Sequence, residues 1–190
     1  MASADTPMKG VATLLEAFAK LRTERDVELL LITKPKPGGQ TERLIDRLSV
    51  ADSVRFVHGI SDAALAQVVG SAAIACVPSL YEGFSLPTVE AMACETPLVV
   101  SRAGAIPEVV GPDGLCAELV TPGDVGELAS ALERLLDDPD RRARMGAAGR
   151  ERALTRFSWR AVAEATADAY RRAIEARRAA HPVTSGEPTC

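Results

Sequence analysis

The chain has 190 residues, of which 47% are hydrophobic, and it carries a formal net charge of −4 at neutral pH. This length and apolar content predict one domain with a core of ordinary size, and the scattered Lys and Arg side chains argue against a nucleic-acid surface. No apolar signal region opens the chain, and no apolar run approaches the ~20 residues of a membrane-spanning helix, so a cytoplasmic protein is expected.

The cysteines and histidines indicate neither disulfides nor a metal site. The four cysteines (Cys76, Cys94, Cys116 and Cys190) have no C-x-x-C spacing, and three lie in apolar surroundings. Free thiols in a reducing compartment are therefore expected. The chain has two histidines and no His/Cys/Asp cluster at ligand spacing, so no metal is expected.

The first part of the chain alternates helical and strand patterns. Apolar residues between Val11 and Leu21 recur every three or four positions, which predicts an amphipathic helix to about Glu24. Because the pattern opens on this helix, the strand before it is expected to be missing. The predicted elements that follow are a strand at 27–33, a helix at 41–48, a strand at 54–57, a helix at 64–71 capped by Ser61, and a strand at 72–77.

The second part continues this alternation. The predicted elements are a helix that opens at Pro87, strands at 97–101 and 115–120, and helices at 122–136, 139–157 and 159–180. Trp159 and Phe157 are expected to anchor the last helix in the core. Residues 1–180 are predicted to form the domain, and the polar, proline-bearing residues 181–190 a disordered tail. The pattern as a whole predicts the α/β class, with a Rossmann-like, doubly wound, mostly parallel sheet flanked by helices.

The segment from Val77 to Gly111 places a turn-rich loop between a predicted strand and a predicted helix. Such a loop lies at the carboxyl edge of a parallel sheet, where the following helix presents unpaired N–H groups that suit an anion. Glu82 and Glu90 lie eight positions apart, one before the turn at Gly83 and one on the first turns of the helix.

This segment resembles a known family. Its pattern E-G-F-S-L-P-T-V-E, followed by A-M-A and T-P-L-V-V-S, resembles the donor-binding domain of retaining GT-B glycosyltransferases, glycosyltransferase family 4 in particular. The resemblance runs from about Lys9 to Tyr170. It implies one half of a GT-B fold, with the N-terminal acceptor-binding domain absent from this chain and any peripheral membrane contact made through that absent half.

The resemblance also implies a reaction and the residues that serve it. A nucleotide-diphosphate sugar, such as a UDP or GDP sugar, would donate a hexose to an acceptor hydroxyl with retention, without a further cofactor or metal. Glu82 would hold the transferred sugar, Glu90 the ribose hydroxyls and Lys9 the diphosphate. The remaining implied positions are Val57, His58 and Gly59 for the base, and Gly83, Phe84, Ser85 and Leu86 for the diphosphate or sugar.

Two positions depart from the family pattern. Ala4 stands where the family commonly has an arginine, five residues before the lysine, so that leaving-group stabilisation would depend more on Lys9 and the loop amides. Glu95 stands where a glycine is usual, at the end of a helix that often requires a residue with φ > 0. Mild local destabilisation is expected there, without loss of binding.

Structural explanations remain open for several of these residues. The helix dipole favours a carboxylate such as Glu90 in the first turns by about 0.3–1 kcal/mol without any function. Ser85 would suit an N-cap before Pro87, in a tight turn. His58 would suit the surface or a cap as well as a base contact.

Two other functions remain open for the whole chain. One is a non-catalytic partner module that docks to a separate N-terminal half through an exposed apolar face. The other is a nucleotide-sugar epimerase-like enzyme, which would be expected to have a basic cleft with histidines. The sequence leaves the base, the sugar and the acceptor undetermined.

Overall fold

The computed structural model describes residues 5–34 and 36–180. Ala4 and the predicted tail at 181–190 lie outside the described residues. The chain divides into two compact units, Met1–Ala153 and Leu154–Cys190, of which the first contains every strand that the structure describes.

Within the described residues, five short strands, all paired in parallel, form two sheets. The strands are β1 (Leu29–Leu31), β2 (Val54–Phe56), β3 (Ala75–Val77), β4 (Leu98–Ser101) and β5 (Ala117–Val120). One sheet pairs β1 with β2, and the other has the order β3-β4-β5. The predicted α/β class with parallel strands flanked by helices is confirmed, and the structure adds that the strands are divided between two sheets.

Eight α-helices are described, and they alternate with the strands as far as β5. They are α1 (Val11–Arg22), α2 (Gln40–Arg47), α3 (Asp62–Ser71), α4 (Leu86–Ala93), α5 (Ile106–Val110), α6 (Val125–Asp137), α7 (Pro139–Arg156) and α8 (Trp159–Ala180). The predicted cap of α3 is confirmed, since the Ser61 hydroxyl accepts a hydrogen bond from the Ala64 N–H at 3.3 Å.

Helix α1 contributes several side chains to the hydrophobic core of the first unit. It packs against α2 and against α6, and its residues Leu15 and Phe18 belong to one buried cluster with Leu31 and Val99. Each fully buried side chain of this size stabilises the fold by about 1.5–3 kcal/mol. All four residues of β4 are buried, as expected for a parallel strand covered on both faces.

The end of α4 packs closely against α7. Glu95, just past α4, has φ 63°, which confirms the left-handed conformation expected at this position. A Cβ added at Gly146 of α7 would lie 2.2 Å from the Glu95 carbonyl oxygen. Arg150 also donates to the Ala93 carbonyl at 2.6 Å. Helix α7 therefore supports α4, the helix that follows the E-G-F-S loop.

Helix α8 has no buried residue. Trp159 is 91% exposed, and Tyr170 and Ile174 are exposed as well. The expectation that Trp159 anchors α8 in the core is therefore wrong, because within residues 154–180, the described part of the second unit, no strand or further helix covers an apolar face of α8. None of the described helices combines the length and the apolar character needed to cross a bilayer.

The described cysteines are free thiols. Cys116 is buried, and Cys76 and Cys94 are half-buried. Burial raises the pKa of the Cys76 thiol to about 12. Since the thiolate is the reactive form, Cys76 is a packing residue at neutral pH. Cys190 lies outside the described residues.

Candidate functional site

The site is built on the loop between β3 and α4. Pro78 and Ser79, directly after β3, are buried, whereas Gly83 and Phe84 at the turn are exposed. Leu86, the first residue of α4, is also exposed. The loop therefore runs from the carboxyl end of the half-buried strand β3 to the exposed amino end of a helix, as the sequence predicted.

Ser85 occupies the N-cap position of α4 in an unusual conformation. Its φ is 71°, in the left-handed region that a serine adopts only at a cost of about 1–2 kcal/mol. Its hydroxyl lies 2.7 Å from the Thr88 hydroxyl and makes no cap to a helix N–H. The side-chain cap considered for Ser85 is therefore wrong, since its hydroxyl is hydrogen-bonded to the Thr88 hydroxyl instead. At the start of α4, as the described residues show it, no side chain makes a capping hydrogen bond to a helix N–H.

Lys9 and Glu82 meet directly, although 73 positions separate them in the sequence. Lys9 Nζ lies 2.5 Å from Glu82 Oε1, and the Ser79 hydroxyl donates to the same oxygen at 3.0 Å. The Lys9 side chain is 34% exposed, whereas that of Glu82 is 13% exposed. The structure thus joins the residue predicted for the diphosphate with the residue predicted for the sugar.

Two glycines hold the backbone around this ion pair. A Cβ at Gly10 would lie 1.9 Å from the Pro78 carbonyl oxygen, and a Cβ at Gly104 would lie 2.0 Å from that of Glu82. Both glycines have positive φ, so a side chain is excluded by conformation and by space. Backbone hydrogen bonds accompany both contacts: Leu80 N–H donates to Met8 O at 2.8 Å, and Ala105 N–H donates to Glu82 O at 2.9 Å.

Sequence reasoning did not single out Ser79 and did not assign a role to Gly10. Ser79 lies three residues before Glu82, a spacing that lets its hydroxyl reach the carboxylate. Gly10 is the second residue of the Lys-Gly pair, and its glycine identity was the available signal of a close backbone contact.

Glu90 lies on the exposed face of α4, away from the contacts made by Glu82. Partial burial and the negative charge of Asp62 raise the pKa of the Glu90 carboxyl. Asp62 is the first residue of α3, four positions after His58. The start of α3 and the Glu90 carboxylate are therefore within electrostatic range of each other.

The three positions predicted for the base lie at the end of β2. Val57 N–H donates to the Leu31 carbonyl at 2.9 Å and extends the β1–β2 pairing, while His58 and Gly59 are exposed. Among the described residues, no hydrogen bond or ion pair joins these three positions to Lys9 or Glu82. The structure therefore shows no direct contact between the predicted base positions and the ion pair.

The arrangement suits a ligand that combines an anion with hydroxyl groups. The Lys9 ammonium and the uncapped start of α4 both attract an anion. The carboxylates of Glu82 and Glu90 can accept hydrogen bonds from hydroxyl groups. Among residues 5–34 and 36–180, no group of three His, Cys, Asp or Glu side chains is placed to hold a metal ion.

Comparison with known proteins gives consistent matches. The family profile described as "Glycosyl transferases group 1" matches residues 1–152. The chain is 59% identical over 174 residues to the MMP alpha-(1->4)-mannosyltransferase of Mycolicibacterium hassiacum, covering 92% of this chain and 42% of that protein. It is 41% identical over 183 residues to D-inositol 3-phosphate glycosyltransferase 2 of Catenulispora acidiphila, covering 91% of this chain and 42% of that protein.

Solved structures match the fold over a similar extent. Sucrose-phosphate synthase from Thermosynechococcus elongatus matches with a TM-score of 0.78 and 34% identity, covering 90% of this chain and 44% of that one. Anabaena HepE in complex with UDP matches with a TM-score of 0.79 and 25% identity, covering 90% of this chain and 47% of that one. The chain thus spans less than half the length of these relatives.

Proposed function

The chain belongs to the glycosyl transferases group 1 family, and from that membership we propose that it is the donor-binding domain of a retaining GT-B glycosyltransferase of family 4. In this proposal it binds a nucleotide-diphosphate sugar, and an N-terminal acceptor-binding domain completes the active site. The observation that carries the proposal is the Lys9–Glu82 ion pair beside the uncapped start of α4.

Lys9 is the group proposed for the diphosphate. The Lys9 side chain is one-third exposed, so it is accessible to a ligand, and the Gly10–Pro78 contact fixes the backbone that carries it. In the absence of donor, Glu82 neutralises the ammonium. A bound diphosphate would share this cation and receive further donors from the loop 83–86 at the start of α4.

Glu82 is the group proposed for the transferred sugar. The Glu82 hydrogen bonds described, from Lys9 and from Ser79, both go to Oε1. The Oε2 atom of the same carboxylate is then the acceptor proposed for a sugar hydroxyl. Because Ser79 is buried and Gly104 supports the Glu82 backbone, the carboxylate is held in place before the sugar arrives.

Glu90 and the end of β2 are the groups proposed for the nucleoside. The Glu90 carboxylate would accept hydrogen bonds from the ribose hydroxyls, and Val57, His58 and Gly59 would contact the base. The electrostatic interaction between Asp62 and Glu90 supports these two roles. Asp62 begins α3, the helix that follows His58 and Gly59, so the proposed base positions lead to a helix that is near the proposed ribose position.

The proposed transfer proceeds with retention on one face of the sugar. The bond from the sugar C1 to the diphosphate oxygen breaks, and the acceptor hydroxyl oxygen forms the new bond to C1 on the same face. The hydroxyl proton passes to a phosphate oxygen of the leaving group. Catalysis would then come from positioning and from stabilisation of the negative charge on the leaving diphosphate by Lys9 and the α4 terminus.

Thermal-shift and calorimetric titrations with UDP, GDP, ADP and their common sugars test the proposal. One nucleotide should stabilise the chain, and the effect should be lost in Glu90→Ala but kept in the matched control Glu24→Ala, whose carboxylate lies just past α1. Lys9→Ala should weaken the binding of the diphosphate about 10- to 100-fold, as expected for the loss of one hydrogen bond between charged groups. Lys20→Ala should leave this affinity unchanged. A folded chain that responds to none of these nucleotides would contradict the proposal.

A second candidate function is the partner module, which the exposed apolar side chains of α8 favour. In that case the chain would bind an N-terminal half without handling a donor. Co-purification with such a half, combined with no response in the nucleotide titrations, would establish it. Among the described residues no histidine bonds to Lys9 or Glu82, so nothing favours the epimerase-like alternative.

A further inference from the structure

Helices α1 and α4 both begin on a residue in the left-handed conformation. The N-cap of α1 is Gly10, with φ 66°, and the N-cap of α4 is Ser85, with φ 71°. Helices α3 and α6 begin instead on Ser61 and Asp124, which are extended and cap their helices with their side chains. Glycine adopts a positive φ freely, whereas the Cβ of serine opposes it. A contact that favours this conformation is therefore needed at Ser85 but not at Gly10.

Thr88 makes such a contact with Ser85. The two hydroxyls lie 2.7 Å apart, and the Thr88 N–H also donates to the Ser85 carbonyl at 3.1 Å. Both residues are buried, with 3% of Ser85 and 0% of Thr88 exposed. In an extended N-cap the Ser85 hydroxyl would bond to a helix N–H instead, and the buried Thr88 hydroxyl would lose this partner. Because a buried hydroxyl is costly to leave without a hydrogen bond, the pair favours the left-handed conformation of Ser85.

The dihedral angles of Ser85 set the direction of two backbone donors. Rotation about φ turns the peptide plane that carries the Ser85 N–H, and rotation about ψ turns the plane that carries the Leu86 N–H. A left-handed residue next to a right-handed one directs successive N–H groups into one concavity, which suits an anion. Ser85 is left-handed, Leu86 is the first helical residue, and Pro87 after it has no N–H. The concavity therefore has the N–H groups of Ser85 and Leu86 as its donors.

From these contacts we infer that Thr88 is a positioning residue for the diphosphate. The Thr88 hydroxyl holds Ser85 in the left-handed conformation, and Ser85 in turn keeps its own N–H and that of Leu86 directed at the anion. Thr88 has no exposed surface, so it acts through Ser85 and not by contact with the ligand. The inference rests on the proposed function, in which the diphosphate binds at the loop 83–86.

The test compares Thr88→Val with a matched control at the other end of α4. Valine has the branched shape of threonine without the hydroxyl. The control is Thr96→Val, because Thr96 is 2% exposed and its hydroxyl donates to the Val69 carbonyl at 2.9 Å. Each variant loses one hydrogen bond of a buried hydroxyl, so urea unfolding should show a similar loss of stability in both. Calorimetric titrations with UDP, GDP and ADP measure the nucleotide affinity of each protein.

Thr88→Val should weaken nucleotide binding about 5- to 30-fold, since Ser85 must then return to the left-handed conformation when the diphosphate binds. Thr96→Val should leave the affinity unchanged. A second comparison introduces Ser85→Gly, because glycine adopts a positive φ without the help of Thr88. When Ser85→Gly is present, adding Thr88→Val should change the affinity less than about 2-fold. An equal loss with serine and with glycine at position 85, or an equal loss in Thr96→Val, would overturn the inference.

A measurement without ligand separates this inference from the proposed function. The Cα and Cβ chemical shifts of residue 85 report its backbone conformation in solution. They should indicate a left-handed residue in the unmodified chain and in Thr96→Val, and an extended residue in Thr88→Val. Left-handed shifts retained in Thr88→Val would overturn the inference, whatever the nucleotide affinities. If the shifts change as expected but the unmodified chain binds none of the three nucleotides, Thr88 holds Ser85 as inferred and the proposed function is contradicted instead.

Discussion

Ser79 is a positioning residue for Glu82 in the proposed site. It is buried and donates to Glu82 Oε1 beside Lys9. Ser79→Ala should leave the affinity for a bare nucleotide unchanged, because Lys9 and Glu90 remain. The preference for the sugar nucleotide over the bare nucleotide should fall by up to about 10-fold, the value of one hydrogen bond.

Calorimetric titration with both ligands measures this ratio. Ser71→Ala is the matched control, since the Ser71 hydroxyl donates only to the carbonyl of Val68 in its own helix. A Ser79→Ala protein that loses bare-nucleotide binding as strongly as sugar-nucleotide binding would show that Ser79 supports the fold and not Glu82.

Glu90 should make the stability of the chain depend on pH. Its pKa is raised in the folded protein by partial burial and by Asp62, so the folded state binds more protons than the unfolded state just above the ordinary pKa of 4.5. The free energy of unfolding therefore falls as pH rises from that value through the raised pKa. Glu90→Gln should remove this fall, so the variant gains stability relative to the original chain at pH 7 but not at pH 4.

Urea unfolding of both proteins at the two pH values measures the effect. Glu24→Gln should show no such pH-dependent difference. If donor binding requires the ionised Glu90, nucleotide affinity should also weaken as pH falls through the raised pKa. Equal affinity at pH 7 and at pH 4.5 would contradict the ribose contact proposed for Glu90.

Residue types and spacing predicted part of the site. Lys9 and Glu82 stood out because a Lys-Gly pair and an E-x7-E pattern are specific, and the structure brings these two residues together. Ser79 was not identified, since a lone serine in a loop has no signal of its own. The sequence favoured a side-chain cap at Ser85 because it reveals the residue type but not φ. In the structure Ser85 has a φ of 71°, and its hydroxyl is hydrogen-bonded to that of Thr88.

At the scale of elements, we expect a substitution in the turn after α4 to stabilise the chain. Glu95 has φ 63° and a negative charge at a helix carboxyl end, and both are unfavourable. Glu95→Gly should stabilise the chain by about 0.5–1 kcal/mol, which corresponds to a rise in Tm of about 1–4 °C. Differential scanning calorimetry measures the shift, and Glu95→Gln separates the charge from the backbone. A Glu95→Gly protein no more stable than Glu95→Gln would show that the backbone at 95 is unstrained.

In the loop before α5, we expect a substitution to destabilise the chain. A Cβ at Gly104 would lie 2.0 Å from the Glu82 carbonyl oxygen, where no flexible side chain can move away. Gly104→Ala should therefore cost at least about 2 kcal/mol of unfolding free energy and weaken donor binding, since Glu82 must shift. Gly70→Ala in α3 is the control, because its Cβ would have only an ordinary contact, at 3.6 Å, with the Cys94 carbonyl oxygen. Equal stability of the two variants in urea unfolding would contradict the prediction.

Helices were better predicted than strands. The predicted bounds of the last helix agree with α8, and Ser61 caps α3 as expected. The strand predicted at 27–33 is confined to Leu29–Leu31. An apolar run indicates burial, but a strand extends only where a neighbouring strand pairs with it, and sequence does not show that neighbour.

At the scale of the whole molecule, the chain is expected to bind a donor without transferring it. It spans 42% of the length of the mannosyltransferase relative, and the proposed acceptor site lies in a separate domain. Radiolabelled nucleotide sugars, incubated with the chain at a concentration that saturates binding, should yield no transferred hexose. Addition of an N-terminal half should then restore transfer. Transfer by the chain alone would show that the described unit contains an acceptor site of its own.

The fold class was predictable from the alternation of patterns, but the division into two sheets was not. Hydrophobic patterning reports which segments are buried and is silent about the lateral order of the strands. The exposure of Trp159 was not predicted for a related reason. A large aromatic side chain favours a buried position, but the sequence does not show which element would pack against it.

The ion pair between Lys9 and Glu82 also has a consequence for the kinetics of donor capture. The cation is neutralised before any donor arrives, and the chain as a whole carries a net charge of −4. Glu82 therefore reduces the attraction of Lys9 for an approaching anionic donor, and the start of α4 remains as the positive end that faces the donor. The long-range repulsion from the net negative charge of the chain is screened as ionic strength rises. Donor is retained only after Lys9 exchanges part of its contact with Glu82 for the phosphates, so selection among anions takes place after encounter and not during approach.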